Sequence, residues 1–228
     1  MRWLRAMRLL RAPAGASVLG LGCAFGFGTR ILSRRYDCTG VDGSPSFIQR
    51  ALREVPQARF LQGHAERLPF AGETFEAVVC LEVLEHLADE TAAIGEIERV
   101  LRPGGELVLS VPHEGLLADW DSLNVYQRRT GRHLAFPIGE TPGGSDWHRH
   151  YSVRRLAGLL EGFRIDNVQL TGVGLAELAN LSLLALARGN LKVYERLQGI
   201  YFAIAVVEDD LPLGRLAYNL MIHARKVA

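Results

Sequence analysis

The sequence predicts an α/β fold, a mostly parallel sheet with helices on both faces. Three observations carry this. Short apolar strand patterns alternate with helical ones along most of the chain, which is the signature of crossover-connected parallel strands. One strand pattern, Ala77–Leu81, is apolar at every position, as a central parallel strand covered on both faces must be. With 228 residues, 48% hydrophobic and 22% charged, the chain suits one well-filled domain spanning 1–228, not a disordered segment.

In chain order, the first strand is Ser17–Leu21. A glycine-rich turn follows, then a helix from about Gly28 to Arg35. The second strand, Asp37–Val41, ends at Asp42. Ser44 and Pro45 have the chemistry of an N-cap and first helical residue for a helix reaching Glu54. The third strand is Ala58–Gln62 and the fourth Ala77–Leu81. Asp89 caps a helix with Ile94, Ile97, Val100 and Leu101 on one face. Pro103-Gly104-Gly105 should stop that helix before a fifth strand, Glu106–Val111. Ser152 caps a helix through Glu161, Phe163–Leu170 is the sixth strand, and Leu216–Arg225 the last.

Two segments interrupt the alternation. Residues 112–151 form a long polar insertion rich in Gly, His, Arg and Trp, and so long a connection is usually functional. Residues 175–210 read as two apolar helices forming a cap, packed on each other, over a pocket or across a homodimer interface.

The net charge of +1 advertises no nucleic-acid partner. Cys23, Cys38 and Cys80 are odd in number, apolar in setting and lack zinc-ligand spacing. They read as reduced thiols of a cytoplasmic protein, with no metal. Arg2, Arg5, Arg8 and Arg11 interrupt any apolar leader, while Trp3, Leu4, Met7 and Leu10 follow helical spacing. That helix reads as packed on the domain edge. A second reading gives it a basic face touching anionic lipid on the inner side of a membrane. No stretch has the apolar length that spans a bilayer.

The chemistry begins at Val18-Leu19-Gly20-Leu21-Gly22-Cys23-Ala24-Phe25-Gly26-Phe27-Gly28, a strand entering a tight turn and a helix. Gly22 and Gly26 permit a sharp turn and close backbone approach to a ligand, and a helix start offers free N–H groups. Asp42 ends the next strand about twenty residues on, where a carboxylate can accept both hydroxyls of a ribose. Together these point to an adenosine-containing cofactor and a Rossmann-like site, without choosing a dinucleotide over S-adenosylmethionine.

Later residues choose. His64-Ala65-Glu66-Arg67-Leu68-Pro69-Phe70, Phe75-Glu76-Ala77-Val78-Val79-Cys80, Glu82-Val83-Leu84-Glu85-His86-Leu87 and Glu98-Arg99-Val100-Leu101-Arg102-Pro103-Gly104-Gly105 follow in order. Over residues 17–111 this run resembles the class I S-adenosylmethionine-dependent methyltransferases, in the small-molecule and lipid group that includes the quinone-biosynthesis enzymes. The resemblance is looser at Tyr151-Ser152 and Gly162-Phe163 and absent over 112–149 and 171–215. It implies a seven-stranded, mostly parallel sheet with an antiparallel last strand, S-adenosylmethionine as cofactor, and a small-molecule or lipid-linked acceptor. It further implies that Gly22 and the Cys23–Gly26 backbone, Ala24 included, hold the methionine end. Asp42 would bind the ribose, Ala65 and Glu66 flank the adenine, Leu81 line the pocket, and Glu82–His86 form a floor towards the acceptor.

Four positions depart from the pattern. Gly20 and His64 stand where acids are usual, Ala24 where glycine is usual, and Glu76 where Asp is usual. Losing two acids near a sulfonium should weaken the cofactor. That motivates an alternative: a catalytically silent adenosine-binding or partner-binding relative. For an oxygen or nitrogen acceptor, histidine is the usual base. The candidates are His86, His113, His148 and His150: His113 follows the fifth strand, His148 and His150 stand at the end of the insertion just before the Ser152 cap, and His86 also reads as a structural part of its loop. Arg128, Arg129, Arg132 and Arg149 read either as solvated surface or as a grip on an acceptor carboxylate or phosphate.

Overall fold

The computed structural model describes residues 2–116, 149–172 and 214–227, with scattered positions within 118–129 and 179–211. Most of the apolar 175–210 segment therefore lies outside the described residues. The strands are β1 (Ser17–Leu21), β2 (Asp37–Asp42), β3 (Arg59–Gln62), β4 (Phe75–Leu81), β5 (Leu101–Pro112), β6 (Phe163–Thr171) and β7 (Asn219–Lys226). They form one seven-stranded sheet in the order β3-β2-β1-β4-β5-β7-β6. β1 to β5 pair in parallel, and β7 runs antiparallel to both β5 and β6. The fold is the expected Rossmann-like one, with the antiparallel last strand.

Alternation along the central strands sends successive side chains to opposite faces. Leu19, Leu21, Val78, Cys80, Leu107 and Leu109 face one side, where Ile94 and Ile97 of the helix Glu90–Val100 and Tyr151 and Leu156 cover them. Val18, Ala77, Val79 and Val108 face the other, under Ala6, Leu10, Leu32 and Tyr36. Helices described from end to end are, in chain order, α1 (Arg2–Leu9), α2 (Phe27–Leu32), α3 (Pro45–Glu54), α4 (Glu90–Val100) and α5 (Val153–Leu159).

Helix starts follow the capping chemistry of the sequence. Ser44, Asp89 and Ser152 accept backbone N–H groups from Phe47, Ala92 and Arg155. Helix ends are shorter than the sequence suggested: α2 stops at Leu32 and α5 at Leu159. Pro103-Gly104-Gly105 does not separate α4 from β5. The helix ends at Val100, β5 begins at Leu101, and Phe75 pairs with Leu101 while Ala77 pairs with Glu106. The extra residues bulge out of the ladder, with Gly104 at φ 73°.

The N-terminal helix is part of the core. Ala6 is fully buried, and the Trp3 ring lies where a side chain on Gly28 would be, 2.2 Å from its Cβ position. Its arginines turn partly into the protein. Arg2 donates to Asn219 Oδ1 at 2.8 Å and pairs with Glu82 at 3.3 Å. Arg5 donates to the Thr171 hydroxyl, while Arg8 is exposed. Among the described residues, no helix is long and apolar enough to cross a membrane. The three cysteines are buried free thiols.

The polar insertion leaves and re-enters the sheet through a narrow neck. Tyr151 N–H donates to the Pro112 carbonyl and Glu114 N–H to the Tyr151 carbonyl, both at 2.9 Å. Tyr151 is fully buried. Its hydroxyl donates to Glu90 Oε2 at 2.7 Å and reaches the Leu84 carbonyl at 3.3 Å.

Candidate functional site

The chain leaves β1 outward to β2 and β3, then returns to pair β4 against β1. That reversal opens a crevice beyond the carboxyl ends of β1 and β4, where ligands bind in open α/β sheets. The glycine turn sits there. Gly22 and Cys23 donate to the Val41 carbonyl at 2.8 and 3.0 Å, and Gly26 donates to Cys23. Gly22, Ala24 and Gly26 all have positive φ, 70°, 43° and 81°. A Cβ on Gly22 would lie 2.1 Å from Val83 Cγ2, so both the left-handed backbone and the close approach require glycine. Ala24 holds the same type of conformation with a side chain, which is strained.

Asp42 ties this turn to the end of β2. Its Oδ2 accepts the Ala24 N–H and its Oδ1 the Ser44 N–H, both at 2.9 Å. Each carboxylate oxygen has a second lone pair for a hydroxyl donor. The next loop is adjacent: Gly63 donates to the Asp42 carbonyl at 3.1 Å, and His64 lies 3.6 Å from the Cβ position of Gly43. Ala65 is buried in the main core cluster and Glu66 is half-buried. Leu81 is buried at the end of β4. A polar cradle lined by positive-φ glycines and ending in a carboxylate fits the adenosine and methionine ends of S-adenosylmethionine.

The missing acid at position 20 leaves a mark. Thr29 Oγ1 is buried and has no hydrogen-bond partner among the described residues. It lies 3.5 Å from the Cβ position of Gly20. Gly20 itself is not in the left-handed region, so the turn geometry does not demand glycine there. Gly20→Asp should therefore fit, give the Thr29 hydroxyl an acceptor, and return a negative charge to the crevice. We expect S-adenosylmethionine to bind roughly two- to tenfold tighter, about 0.5–1.5 kcal/mol. The neutral S-adenosylhomocysteine should gain less. Calorimetry with both ligands checks this, and an equal gain for both would show that charge is not the cause.

On the acceptor side His148 lies outside the described residues, and the other three candidate histidines differ. His113 is buried, with Nδ1 3.0 Å from the Ala217 carbonyl and its backbone N–H on the Tyr218 carbonyl at 2.6 Å. His86 is partly exposed, its Nε2 3.8 Å from Glu85 Oε1. His150 is nearly buried, with Nε2 3.5 Å from Asp121 Oδ2 and its ring 6.0 Å from that of Tyr218. The neck and β7 thus bring His113 and His150 to the same edge, and His86 stands on the loop after β4. Among the described residues, no three His, Cys, Asp or Glu side chains converge as a metal site. Of the insertion's arginines, Arg149 pairs with Glu90 at 3.2 Å and Arg128 reaches the Asn124 carbonyl at 3.4 Å. Arg129 is exposed, and Arg132 lies outside the described residues.

Two acids stand out in the geometry and not in the sequence. Glu85 is 1% exposed. Burial and the nearby Glu82 carboxylate push its carboxyl well above the ordinary range. Its placement between the buried Leu84 and Leu87 was the available signal. Asp121 is completely buried, and nothing in the pattern around it marks it. Glu82 has φ 56° and accepts the Ser110 hydroxyl at 2.7 Å while pairing with Arg2.

Residues 19–109 match the family model for the methyltransferase domain. The 2-methyl-6-phytyl-1,4-hydroquinone methyltransferase of a Synechocystis species is 31% identical over 71% of this chain and 47% of its own length. Among solved structures, the phosphoethanolamine N-methyltransferase 2 of Haemonchus contortus, in complex with S-adenosyl-L-methionine, superposes with a TM-score of 0.67. It is 18% identical, and the match covers 100% of this chain and 52% of that one. The [4+2]-cyclase SpnF superposes equally well, with a TM-score of 0.67 at 19% identity over 100% of this chain and 80% of that one. At such identities the two structures speak for the fold alone. The chain spans about half the length of the curated relatives it matches. With the sheet order, the glycine turn and the Asp42 cradle, these matches place the chain in the class I S-adenosylmethionine-dependent methyltransferase family.

Proposed function

We propose that this chain transfers a methyl group from S-adenosylmethionine to a hydroxyl or amine of a small-molecule or lipid-linked acceptor. The observation that carries the cofactor half is the Asp42 carboxylate, which binds the glycine turn through Ala24 and still has lone pairs facing the crevice side. In this reading the Gly22 and Cys23–Gly26 backbone holds the methionine end, and Asp42 takes the ribose hydroxyls. Ala65 and Glu66 flank the adenine, and Leu81 closes the apolar wall. The bound cofactor supplies an electrophilic methyl on a sulfonium. What remains for the protein is to align the acceptor, exclude water and accept a proton. For that proton we favour His150, whose Nε2 lies 3.5 Å from the buried Asp121 carboxylate, over His86, whose neighbour Glu85 at 3.8 Å is driven towards its neutral form by burial and Glu82. Among the relatives, an O-methyltransferase of ubiquinone biosynthesis and a 1,4-hydroquinone methyltransferase favour a hydroxyl of a quinone-type acceptor.

A basic membrane-binding face on α1 has less support. Arg2 and Arg5 are engaged with Glu82, Asn219 and Thr171, so only Arg8 of the three helix arginines points outward.

Calorimetric titration with S-adenosylmethionine, S-adenosylhomocysteine and NAD(P)H tests the cofactor reading. The first two should bind and the third should not. Nicotinamide binding would overturn it. Binding of both adenosyl ligands without turnover on any hydroxyl or amine acceptor would favour the second reading, a silent adenosine-binding relative. The orphaned Thr29 hydroxyl and the missing acid at Gly20 are what speak for that reading.

A further inference from the structure

The charge of the chain is not spread evenly. Residues 1–60 carry ten arginines against three acids, Asp37, Asp42 and Glu54, a net +7 inside a chain whose total is +1. Residues 61–228 therefore sum to −6. The fold gathers the basic part on one side. α1 and α2 cover the sheet face opposite α4 and α5. α3 covers the outer strands of that same face. A Cβ on Gly40, two residues beyond Cys38, would lie 2.7 Å from the Phe60 ring, and Phe60 packs with Ile48 and Ala51 of α3.

The outer surface of these helices is rich in arginine and partly apolar. Arg30 on α2, Arg34 and Arg35 just past its end, Arg50 and Arg53 on α3, and Arg8 on α1 are all exposed. The acids of this region are already engaged: Glu54 pairs with Arg50 at 2.6 Å, Asp37 with Arg59 at 2.7 Å, and Asp42 caps Ala24 and Ser44. Arg8, Arg30, Arg34, Arg35 and Arg53 form no ion pair among the described residues. The same helices expose Phe27 by 51% and Leu52 by 48%. The glycine turn of the crevice borders this surface, with Arg50 lying 4.3 Å over the ring of its Phe25.

We propose that the α2–α3 surface docks on an anionic lipid bilayer, its arginines against the phosphate headgroups and Phe27 and Leu52 entering the headgroup layer. Charge attracts and orients the molecule, and the exposed apolar side chains gain by leaving water. A nucleic acid would answer the charge equally, but Leu52 has no ring on which a base stacks, so the apolar part favours lipid. Of the arginines on α1 only Arg8 joins the surface, since Arg2 and Arg5 are engaged inside the protein. Docking here brings the crevice to the bilayer, where a lipid-linked acceptor resides. That consequence rests on the methyl-transfer reading; the docking itself does not.

Vesicle flotation of the full chain is the test. The protein should rise with phosphatidylcholine vesicles that contain phosphatidylglycerol, stay down with phosphatidylcholine alone, and detach as salt is raised. Each arginine at an anionic surface is worth roughly fivefold in partitioning. Reversing three, Arg30→Glu, Arg34→Glu and Arg53→Glu together, should therefore lower it by more than about a hundredfold. If that protein does not fold, Gln at the same three positions should lower it by about a hundredfold. Phe27→Ala should cost roughly tenfold. Arg154→Glu, the same reversal on the exposed side of α5 across the sheet, should change it less than about twofold. No flotation with anionic vesicles at low salt overturns the proposal. So does wild-type partitioning in the triple variant or in Phe27→Ala, or a loss in Arg154→Glu equal to that in Arg53→Glu alone. Tighter binding to a labelled single-stranded RNA than to the vesicles, lost in the triple variant, would assign the surface to nucleic acid and overturn lipid docking. Calorimetry with S-adenosylhomocysteine judges the cofactor reading separately, since flotation does not depend on it.

Discussion

Asp42→Ala should weaken S-adenosylhomocysteine binding by roughly ten- to more than a hundredfold, the equivalent of about 1.5–3 kcal/mol for charge-assisted hydrogen bonds to the ribose. Calorimetry reads this directly. The variant also loses two internal bonds, from Ala24 and Ser44, so a weakened turn could mimic a lost ligand contact. Asp42→Asn separates the causes. Its one carbonyl oxygen can still hold one of those N–H groups, and it lacks the charge. If affinity falls in both variants while the Asn protein keeps wild-type stability, the loss belongs to the ligand. Wild-type affinity in the Ala variant would remove Asp42 from the cofactor site.

The second large effect is on stability. Tyr151→Ala should cost about 3–5 kcal/mol, since it empties a fully buried aromatic site. Tyr151→Phe should cost only about 0.5–1.5 kcal/mol, for the hydroxyl's bonds to Glu90 and Leu84. The small second value follows from what Glu90 keeps: Arg149 at 3.2 Å and Arg155 at 2.9 Å. Against the cost of partial burial, Tyr151 and these arginines hold the Glu90 carboxyl below its ordinary range. Urea unfolding measures both, with the midpoint shifting at constant slope. Equal losses in the two variants would place the energy in the hydroxyl network and not in the ring.

The sequence was readable where neighbours in the chain decide the outcome. Ser44, Asp89 and Ser152 cap as their chemistry requires, because a cap needs only the next three residues. The apolar run of β4 announced a strand covered on both faces. Asp42 stands at the end of β2 beside the glycine turn, as strand length and turn length place it relative to Gly22. The reading failed where distant segments meet. Nothing local says that Asp121 touches Tyr218 or that Arg2 reaches Glu82 and Asn219. The Pro103-Gly104-Gly105 stop was misplaced because such residues serve equally for a helix end and for a bulge. Here α4 had already ended at Val100. Gly20 showed a missing acid in the sequence, but only the structure shows the hydroxyl of Thr29 left without a partner by it.

The neck at Tyr151 has a consequence for how such a protein can diversify. The chain leaves the sheet at Pro112 and returns beside it at Tyr151, held by main-chain bonds that do not depend on side-chain identity. Between these points the excursion is also tied down by side chains, Asp121 on Tyr218 and Arg149 on Glu90, which hold the surroundings of His150 on the rim. Closing a longer excursion is cheap, about 0.6 kcal/mol for each doubling of its length. The excursion can therefore lengthen at low cost wherever the ties of Asp121 to Tyr218 and of Arg149 to Glu90 are kept. The cofactor cradle, built from β1, β2 and β4, has no such latitude, because a single Cβ at Gly22 would collide with Val83.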